Sequence, residues 1–320
     1  MSRFINTLQE EIADPCLLEL LASLLTATAT IAGRVGQGAL GDLLGATVQQ
    51  NVQGEVQKKL DVIANDVLIE ALKEQRAVRA IASEEEEHSL VATPGAPYLV
   101  AFDPLDGSNN IDINAQIGTI FTILPARDDV PDGSDAQFFQ PGHRQVCAGY
   151  VLYGPYTTLV MTTGKTVHEA TLDKVSGEFR LSRSPLRLPS GLREFSANMA
   201  NLFYWPQKMQ DHVTALIQPA AAWERFNMRW QGAMVGDMHR VLTRGGIFIY
   251  PSDAKDPAQP ARLRLLYEAF PMALLVEAAG GYGYSEGQRL LDITPVGLHQ
   301  RTGVFLGEVT LVEDFLAAAS

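Results

Sequence analysis

The chain has 320 residues, of which 46% are hydrophobic and 19% charged, and these values are typical of a soluble globular protein with one large or two medium domains. Its formal net charge of −12 argues against nucleic acid as the main partner. The charge does not exclude a phosphorylated substrate, because bound cations and a few arginines can reverse the local sign. Two cysteines, Cys16 and Cys147, are too few for a disulfide framework.

The N-terminal part is predicted to contain two helices. Residues 17–32 carry apolar side chains at helical spacing, interrupted by Glu19 and Ser23, which predicts an amphipathic helix rather than a membrane span. A glycine-rich break follows, and residues 57–75 have the pattern of a second helix. The start of the chain does not resemble a signal peptide. We therefore expect a cytoplasmic protein that does not bind membranes.

Carboxylates follow two short apolar segments that are predicted to be buried strands. Glu84 and Glu85 come directly after residues 80–83, and Asp103 comes directly after residues 98–102. Adjacent strands that end in carboxylates bring those groups together at one edge of a sheet. Oxygen donors of this kind suit Mg²⁺ or Mn²⁺, so the pattern predicts a divalent metal site.

The stretch from Asp103 to Asn110 combines features of a metal site and of an anion site. Asp106 follows Asp103 by three positions, and Pro104 between them restricts the backbone. Gly107 can adopt a positive φ, and the N–H groups that follow it can form an anion-binding nest. An ordinary turn has a similar composition, so Asp-x-x-Asp-Gly alone leaves that alternative open.

The rest of the chain alternates strands and helices. A hairpin is predicted at residues 172–189, and the Pro- and Gly-containing segment 182–191 is a candidate boundary between a domain of residues 1–187 and one of residues 188–320. This pattern predicts an α/β or layered α+β fold with sheets covered by helices. Other predicted strands lie at 117–124, 146–153, 157–162, 246–250 and 303–306, and other helices at 209–217, 233–242, 273–279 and 311–319.

Pieces of sequence spread over nearly the whole chain resemble class I fructose-1,6-bisphosphatase. Asp-Pro-Leu-Asp-Gly-Ser also occurs in inositol monophosphatase-like enzymes, whereas the pieces at 263–268 and 245–251 are more specific to class I fructose-1,6-bisphosphatase. The resemblance implies a sugar-phosphatase fold with two α/β domains. The pieces are Lys58-Lys59-Leu60-Asp61-Val62, Ala82-Ser83-Glu84-Glu85, Phe102-Asp103-Pro104-Leu105-Asp106-Gly107-Ser108, Ala148-Gly149-Tyr150-Val151-Leu152-Tyr153-Gly154, Gly245-Gly246-Ile247-Phe248-Ile249-Tyr250-Pro251, Leu263-Arg264-Leu265-Leu266-Tyr267-Glu268 and Leu298-His299-Gln300-Arg301.

The resemblance implies hydrolysis of the C1 phosphate of fructose 1,6-bisphosphate to fructose 6-phosphate and phosphate, in gluconeogenesis or the Calvin cycle. Two or three Mg²⁺ or Mn²⁺ ions per site are implied. Asp61 and Glu85 match the pair that activates water, and Glu55 lies on a loop (residues 45–57) expected to close over the site. The matching metal ligands are Glu84, Asp103, Asp106, Glu268 and the backbone carbonyl of Leu105.

The resemblance also implies positions for the substrate. Arg229 matches an arginine that reaches the 6-phosphate from a neighbouring subunit, which implies an oligomer, and the family is usually a homotetramer. Simpler roles are a surface arginine for Arg229, a core residue for Tyr250 and a helix N-terminal carboxylate for Glu268. The full set of implied substrate-binding residues is Asp106, Gly107, Ser108, Asn109, Asn198, Arg229, Trp230, Tyr250, Arg262 and Arg264.

Several positions depart from the family pattern. Asn109 replaces a serine, Trp230 and Asn201 replace tyrosines, and Arg262 replaces a lysine. Arginine keeps the charge of lysine but not its shape. These changes in the sugar pocket leave sedoheptulose 1,7-bisphosphate open as an alternative or second substrate.

The inhibitor site departs further. Members inhibited by AMP carry basic residues where this chain has Pro97 and Pro125, so we expect insensitivity to AMP. An inositol monophosphatase-like or nucleotide 3′-phosphatase activity is a further alternative. A non-catalytic homologue that senses metal or sugar phosphate is the alternative outside enzymes. Retention of six carboxylates argues against it: Asp61, Glu84, Glu85, Asp103, Asp106 and Glu268.

Overall fold

The computed structural model describes residues 3–41, 45–50 and 56–319 and has two large β-sheets alternating with layers of helices, together with two small two-stranded sheets. The helices are α1 (Arg3–Leu8), α2 (Pro15–Val35), α3 (Lys59–Lys73), α4 (Gln207–Ile217), α5 (Met234–Arg244), α6 (Phe270–Ala278) and α7 (Val309–Ala319). The strands are β1 (Ala46–Gln50), β2 (Val56–Lys58), β3 (Val78–Ser83), β4 (Leu90–Val91), β5 (Tyr98–Asp106), β6 (Ile117–Pro125), β7 (Cys147–Tyr153), β8 (Thr157–Thr162), β9 (Val167–Asp173), β10 (Glu178–Arg183), β11 (Glu194–Ser196), β12 (Asn227–Met228), β13 (Ile247–Tyr250), β14 (Leu263–Arg264), β15 (Tyr282–Ser285), β16 (Gln288–Arg289), β17 (Arg301–Thr302) and β18 (Val304–Gly307). The two small sheets are β1-β2 and β14-β17.

The first sheet has eight strands in the order β10-β9-β8-β7-β6-β5-β3-β4. From β5 to β10 consecutive strands pair antiparallel. Strands β9 and β10 form a hairpin over residues 167–183, so the hairpin predicted at 172–189 exists but was placed too late in the chain. In contrast, β3 and β5 are parallel, with Ser83 opposite Phe102. The chain therefore leaves both strands at the same edge of the sheet.

Helix α2 packs on the outer face of this sheet together with α1 and α3. Its start is set by Asp14, whose carboxylate accepts a hydrogen bond from the Cys16 N–H at 2.9 Å. Within the described residues it is the one helix long and apolar enough to cross a membrane, but half of its most apolar window is buried inside the protein. Leu20, Leu21 and Leu24 are fully buried, each contributing about 2 kcal/mol. Helix α2 is a core helix of this fold.

The second sheet has six strands in the order β12-β11-β13-β18-β15-β16. Helices α4 and α7 cover its outer face, and α5 and α6 lie between the two sheets. Because α6 is buried on both sides, it is apolar all round, as expected for such a helix. The family-type fold of layered α and β domains is confirmed, whereas the domain boundary between residues 187 and 188 stays a prediction.

Two predicted element bounds differ from the structure at positions that matter for the site. Strand β5 does not end at Phe102 but runs to Asp106. Its register with β6 shifts by one residue, since Asp103 lies opposite Ile120 and Asp106 lies opposite Gly118. The extra residue forms a bulge between Asp103 and Asp106, a stretch that contains Pro104, which has no N–H to donate to the neighbouring strand. Helix α6 begins at Phe270, after a wide π-helical turn over Leu265–Ala269.

A partly buried histidine joins α5 to the first sheet. The Nδ1 atom of His239 lies 2.9 Å from the Tyr150 hydroxyl on β7. Burial, with a smaller contribution from Arg183, lowers the pKa of His239 from its usual 6.5 to about 4. Because the folded state favours the neutral imidazole, the contribution of His239 to the free energy of unfolding is fully present above about pH 6.5. This contribution is lost as the pH falls toward 4.

We expect His239→Gln to reduce the acid sensitivity of the fold. The wild type should lose up to about 3 kcal/mol of unfolding free energy through His239 as pH falls from 6.5 to about 4, and the variant should lose correspondingly less. Urea unfolding across this pH range measures the difference. His143→Gln, at a half-exposed side chain, is the matched control. Equal pH slopes for wild type and His239→Gln would contradict the assignment.

Candidate active site

The parallel pair β3 and β5 delivers the first carboxylates. Glu84 and Glu85 follow β3, and the N–H of Glu84 donates to the Phe102 carbonyl at 3.1 Å, which keeps the chain beside β5 as it leaves the sheet. Asp103 and Asp106 lie on the bulged end of β5. The sequence-based expectation that these segments converge is confirmed at the level of the backbone.

Glu268 completes a three-carboxylate cluster from the second half of the chain. Oxygen atoms of Asp103, Asp106 and Glu268 lie within 4.8 Å of one another, and all three residues are buried. Glu268 is placed by the π-helical turn before α6, and its carboxylate accepts the N–H of Arg264 at 2.5 Å. A predicted metal ligand thus comes within reach of β5 although it lies far along the sequence.

Burial raises the pKa of each carboxyl group in this cluster. The pKa of Asp106 rises to about 7 and that of Glu268 to about 8, first because of burial and then because neighbouring carboxylates are negative. Burial and the charge of Glu84 also raise the pKa of Asp103 well above its ordinary value. Hard oxygen donors that repel one another in a buried site fit a divalent cation such as Mg²⁺.

Glu84 and Arg264 form an ion pair beside the cluster, with 2.9 Å between a guanidinium nitrogen and a carboxylate oxygen. Both side chains are almost fully buried. The ion pair thus places Glu84, a predicted metal ligand, next to Arg264, which is predicted to bind phosphate.

The side chain of Leu105 lies in the core, and its backbone N–H donates to the Asp103 carboxylate at 2.9 Å. Metal binding by its carbonyl stays a prediction.

Asp61 lies in the first turn of α3 and faces the carboxylates after β3. One of its oxygens accepts the Lys58 N–H at 2.8 Å. The other oxygen, Oδ1, is buried without a hydrogen-bond partner among the described residues. Burial, followed by the negative charges of Glu85 and Glu84, raises its pKa to about 7. Such a carboxylate can accept a proton near neutral pH.

Glu55, the third predicted acidic group, lies outside the described residues, as do residues 51–54.

Gly107 forms the turn after β5 as the sequence predicts. Its φ is +81°, and a Cβ there would lie 2.4 Å from the Cβ of Ala233, so only glycine fits. Ser108 and Asn109 follow in a short 3₁₀ turn, Ser108 half-buried and Asn109 exposed. The amide of Asn110 donates at 2.9 Å to the carbonyls of both Gln116 and Gln231. The sequence reading missed this tie to the second half of the chain.

A polar cavity of about 470 Å³ lies next to Arg264. Four of its lining residues are cations and none is a carboxylate, in a chain whose net charge is −12. A cavity of this character suits an anion of the size of a sugar phosphate. The lining residues are Asn109, Asn198, Asn201, Gly232, Tyr250, Lys255, Arg262, Leu263, Arg264 and Arg301.

Half of the ten predicted substrate residues line this cavity, namely Asn109, Asn198, Tyr250, Arg262 and Arg264. The other five do not: Asp106, Gly107, Ser108, Arg229 and Trp230. Trp230 stacks on Phe248 with 6.2 Å between ring centroids and lies 6.0 Å from the Tyr250 ring, so it supports the wall of the cavity. Arg229 is about half exposed, 3.6 Å from the Glu194 carboxylate.

Lys255 and Arg301 were not predicted. Arg301 belongs to a piece that carries the family resemblance, so a signal was available for it. Lys255 lies in a polar loop with no such signal.

A second cavity of about 470 Å³ lies between the end of α2 and the start of α3. Its lining is largely apolar and includes Leu60, Ile117 and Tyr153. Its one cation, Arg34, is accompanied by the acidic Asp112. This cavity suits a bisphosphate less well than the cationic one.

Together, the stacked sheets, the buried carboxylates and the cationic cavity define an enzyme of the sugar-phosphatase fold. Two family models match the chain: "Fructose-1-6-bisphosphatase, N-terminal domain" over residues 1–184 and "Fructose-1-6-bisphosphatase, C-terminal domain" over residues 188–320. The chain belongs to the class 1 fructose-1,6-bisphosphatase family and is a phosphoric monoester hydrolase.

Individual proteins agree with this assignment. The chain is 56% identical to the class 1 fructose-1,6-bisphosphatase of Cellvibrio japonicus over 98% of both chains. It is 48% identical to that of Colwellia psychrerythraea over 99% of both chains. The crystal structure of Leishmania major fructose-1,6-bisphosphatase in holo form superposes with a TM-score of 0.93 at 34% identity, covering 99% of this chain and 98% of that one. The apo form gives a TM-score of 0.87.

We expect Glu268→Gln to stabilise the metal-free enzyme and to weaken its response to Mg²⁺. At alkaline pH the variant removes one of the repelling buried charges, so its Tm without metal should rise by about 2–4 °C, the shift for about 1 kcal/mol in a protein of roughly this size. Added Mg²⁺ should raise the Tm of the variant less than that of the wild type.

Glu277→Gln is the matched control, because Glu277 on α6 is paired with Arg289 rather than with other carboxylates. Its Tm should respond to Mg²⁺ as the wild type does. A variant at Glu268 that is destabilised without metal, or that responds fully to Mg²⁺, would argue against a metal site there.

Proposed function

We propose that the protein hydrolyses the C1 phosphate of fructose 1,6-bisphosphate in a reaction that depends on Mg²⁺ or Mn²⁺, giving fructose 6-phosphate and phosphate. The observation that carries the proposal is the cluster of Asp103, Asp106 and Glu268 oxygens within 4.8 Å, next to a cavity with four cations. A bisphosphate needs anion recognition at both ends, and this site offers it. The proposed setting is the cytoplasm, in gluconeogenesis or the Calvin cycle.

The residues proposed to hold two or three divalent ions are the three clustered carboxylates, Glu84 and the carbonyl of Leu105. When bound, the ions neutralise the phosphate and stabilise the attacking and leaving oxygens. Arg264 orients the transferred phosphate from its place beside Glu84. The backbone after Gly107 and the side chains of Ser108 and Asn109 complete this phosphate subsite.

Asp61 is proposed to take the proton of the attacking water. Its pKa of about 7 leaves a large fraction ionised at neutral pH and still basic enough to accept a proton. Glu85 supports this role because its negative charge contributes to the raised pKa. Glu55 remains a proposed third acidic group, in the segment 45–57, which the sequence predicts to be a loop and whose described residues include those of the paired strands β1 and β2.

The far end of the cavity is proposed to hold the sugar and the 6-phosphate through Asn198, Tyr250 and Arg262. Arg229 is proposed to reach this phosphate in the neighbouring subunit of a homotetramer. Two features support this role: Arg229 does not line the cavity of its own chain, and the adjacent Met228 is 40% exposed, as is common for an apolar residue at an interface.

Sedoheptulose 1,7-bisphosphate is the second candidate substrate. Asn201, where the family commonly has a tyrosine, is buried and lines the cavity, so the pocket has more room for a seventh carbon. An inositol monophosphate has one phosphate and uses only one end of the cationic cavity, so it is disfavoured.

We expect Asp61→Asn to lower kcat for fructose 1,6-bisphosphate by at least about 100-fold, since general base catalysis contributes about that much or more. The asparagine oxygen can still accept the Lys58 N–H, so the fold and KM should change little. Phosphate release with Mg²⁺ is the measurement, run beside sedoheptulose 1,7-bisphosphate and inositol 1-phosphate.

Asp66→Asn, on the exposed face of the same helix, is the control and should retain wild-type activity. Full activity of Asp61→Asn would rule out the base role. Hydrolysis of the inositol substrate alone by the wild type would overturn the proposed substrate.

The proposal that the enzyme is insensitive to AMP is supported by the Asp14 carboxylate at the N-terminus of α2. The Tyr98 hydroxyl donates to the Asp14 carboxylate, which also accepts the Cys16 N–H. Both bonds hold the pKa of Asp14 below its ordinary value. A permanent negative charge at this helix N-terminus repels a nucleotide phosphate, and Pro97 and Pro125 supply no cation to offset it.

We expect AMP to leave the rate of fructose 1,6-bisphosphate hydrolysis unchanged up to millimolar concentration. The assay measures phosphate release at saturating Mg²⁺, with inorganic phosphate as a control inhibitor that competes at the active site. The double variant Pro97→Lys, Pro125→Arg restores two cations and should be more sensitive to AMP than the wild type. Inhibition of the wild type at micromolar AMP would contradict the proposal.

A further inference from the structure

Asp237 is a fully buried carboxylate that lies outside the cluster described above. It belongs to the first turn of α5, between the two sheets. Its Oδ1 atom accepts the Ser196 hydroxyl at 2.6 Å and the Gln231 N–H at 3.1 Å. The N–H of Gly232 also donates to the same carboxylate. Asp237 therefore fixes the backbone of the segment that leads into α5.

That segment, residues 231–235, touches the predicted metal site. The Asp106 carboxylate accepts the Val235 N–H at 2.7 Å. The carbonyl of Gln231 accepts the amide of Asn110, and Gly107 packs so closely on Ala233 that no Cβ fits between them. A shift of this segment therefore moves the turn after β5 and the carboxylate of Asp106.

The same segment forms one side of the substrate cavity. Gly232 lines the cavity, and Trp230, directly before the segment, stacks on Phe248 and lies against Tyr250. One backbone stretch thus contacts both the carboxylate site and the sugar-binding side. Its start is held by the carboxylate of Asp237.

We infer that Asp237 is a positioning residue that aligns Asp106 with the sugar-binding wall at Gly232 through the backbone of residues 231–235. The inference rests on the proposed function, because that function places a metal at Asp106 and a sugar beside Gly232. Asp237 acts through hydrogen-bond geometry rather than through its charge. An asparagine can keep an oxygen at the Oδ1 position that accepts both the Ser196 hydroxyl and the Gln231 N–H, whereas an alanine can accept neither.

The test compares Asp237→Ala and Asp237→Asn with the wild type in steady-state kinetics on fructose 1,6-bisphosphate and in calorimetric titration with Mn²⁺ alone. We expect Asp237→Ala to raise KM and weaken Mn²⁺ binding by at least about tenfold, since small displacements of site groups can cost up to two orders of magnitude. Asp237→Asn should remain within about threefold of the wild type in both measurements.

Glu308→Ala is the matched control. Glu308 is also a buried carboxylate that accepts backbone N–H groups, from Gly246 at 2.7 Å and Gly191 at 2.8 Å, but it lies away from the site. It should lower Tm as Asp237→Ala does and leave KM and Mn²⁺ binding unchanged. A comparable change in KM for Glu308→Ala would mean that general destabilisation, not positioning, explains the effect.

Two further outcomes overturn the inference. A folded Asp237→Ala enzyme with wild-type KM and Mn²⁺ affinity removes the positioning role. An Asp237→Asn enzyme with a tenfold higher KM shows that charge matters instead, and this arm holds even if Asp237→Ala does not fold. An inactive wild type with Mg²⁺ refutes the proposed function, so the two failures are distinguishable.

Discussion

The active site is shaped by electrostatic repulsion: several negatively charged carboxylates are buried close together, where water cannot screen their charges. The fold tolerates this because backbone N–H groups and one arginine surround the cluster. Asp106 accepts the Val235 N–H, Glu268 accepts the Arg264 N–H, and Glu84 pairs with the Arg264 side chain. Each bond offsets part of the repulsion but none neutralises it fully, so the raised pKa values remain. The site is thereby prepared for a cation.

Topology explains why the repulsion arises where it does. In the first sheet β3 and β5 are parallel, so the chain emerges from both at one edge and carries Glu84 and Asp103 to the same place. An antiparallel pair would have sent them to opposite edges. Helices α5 and α6 then bring groups from the second half of the chain to this edge, because both lie between the sheets. The cavity forms where the two halves meet.

The sequence predicted the parts of the site that are local in the chain. The carboxylates after β3 and at the end of β5, and the positive φ of Gly107, follow from short patterns with a physical cause. The start of α6 was placed too late, because a helix buried on all sides has no apolar periodicity to mark its ends. Asp237 and Lys255 were missed, since what they contact is set by packing between distant segments. The roles of the substrate residues remain predictions.

The position of α5 and α6 between the sheets has a consequence for biosynthesis. One face of the first sheet, including Ala82, Ala101 and Tyr150, is covered by these two helices. A growing chain that has emerged only as far as β10 therefore exposes this apolar face and lacks Glu268. Since exposed apolar surface promotes aggregation, we expect an N-terminal half that lacks α5 and α6 to aggregate more readily than the complete chain. The apolar core and the carboxylate cluster are therefore both incomplete until the segment that contains Glu268 and α6 has been made.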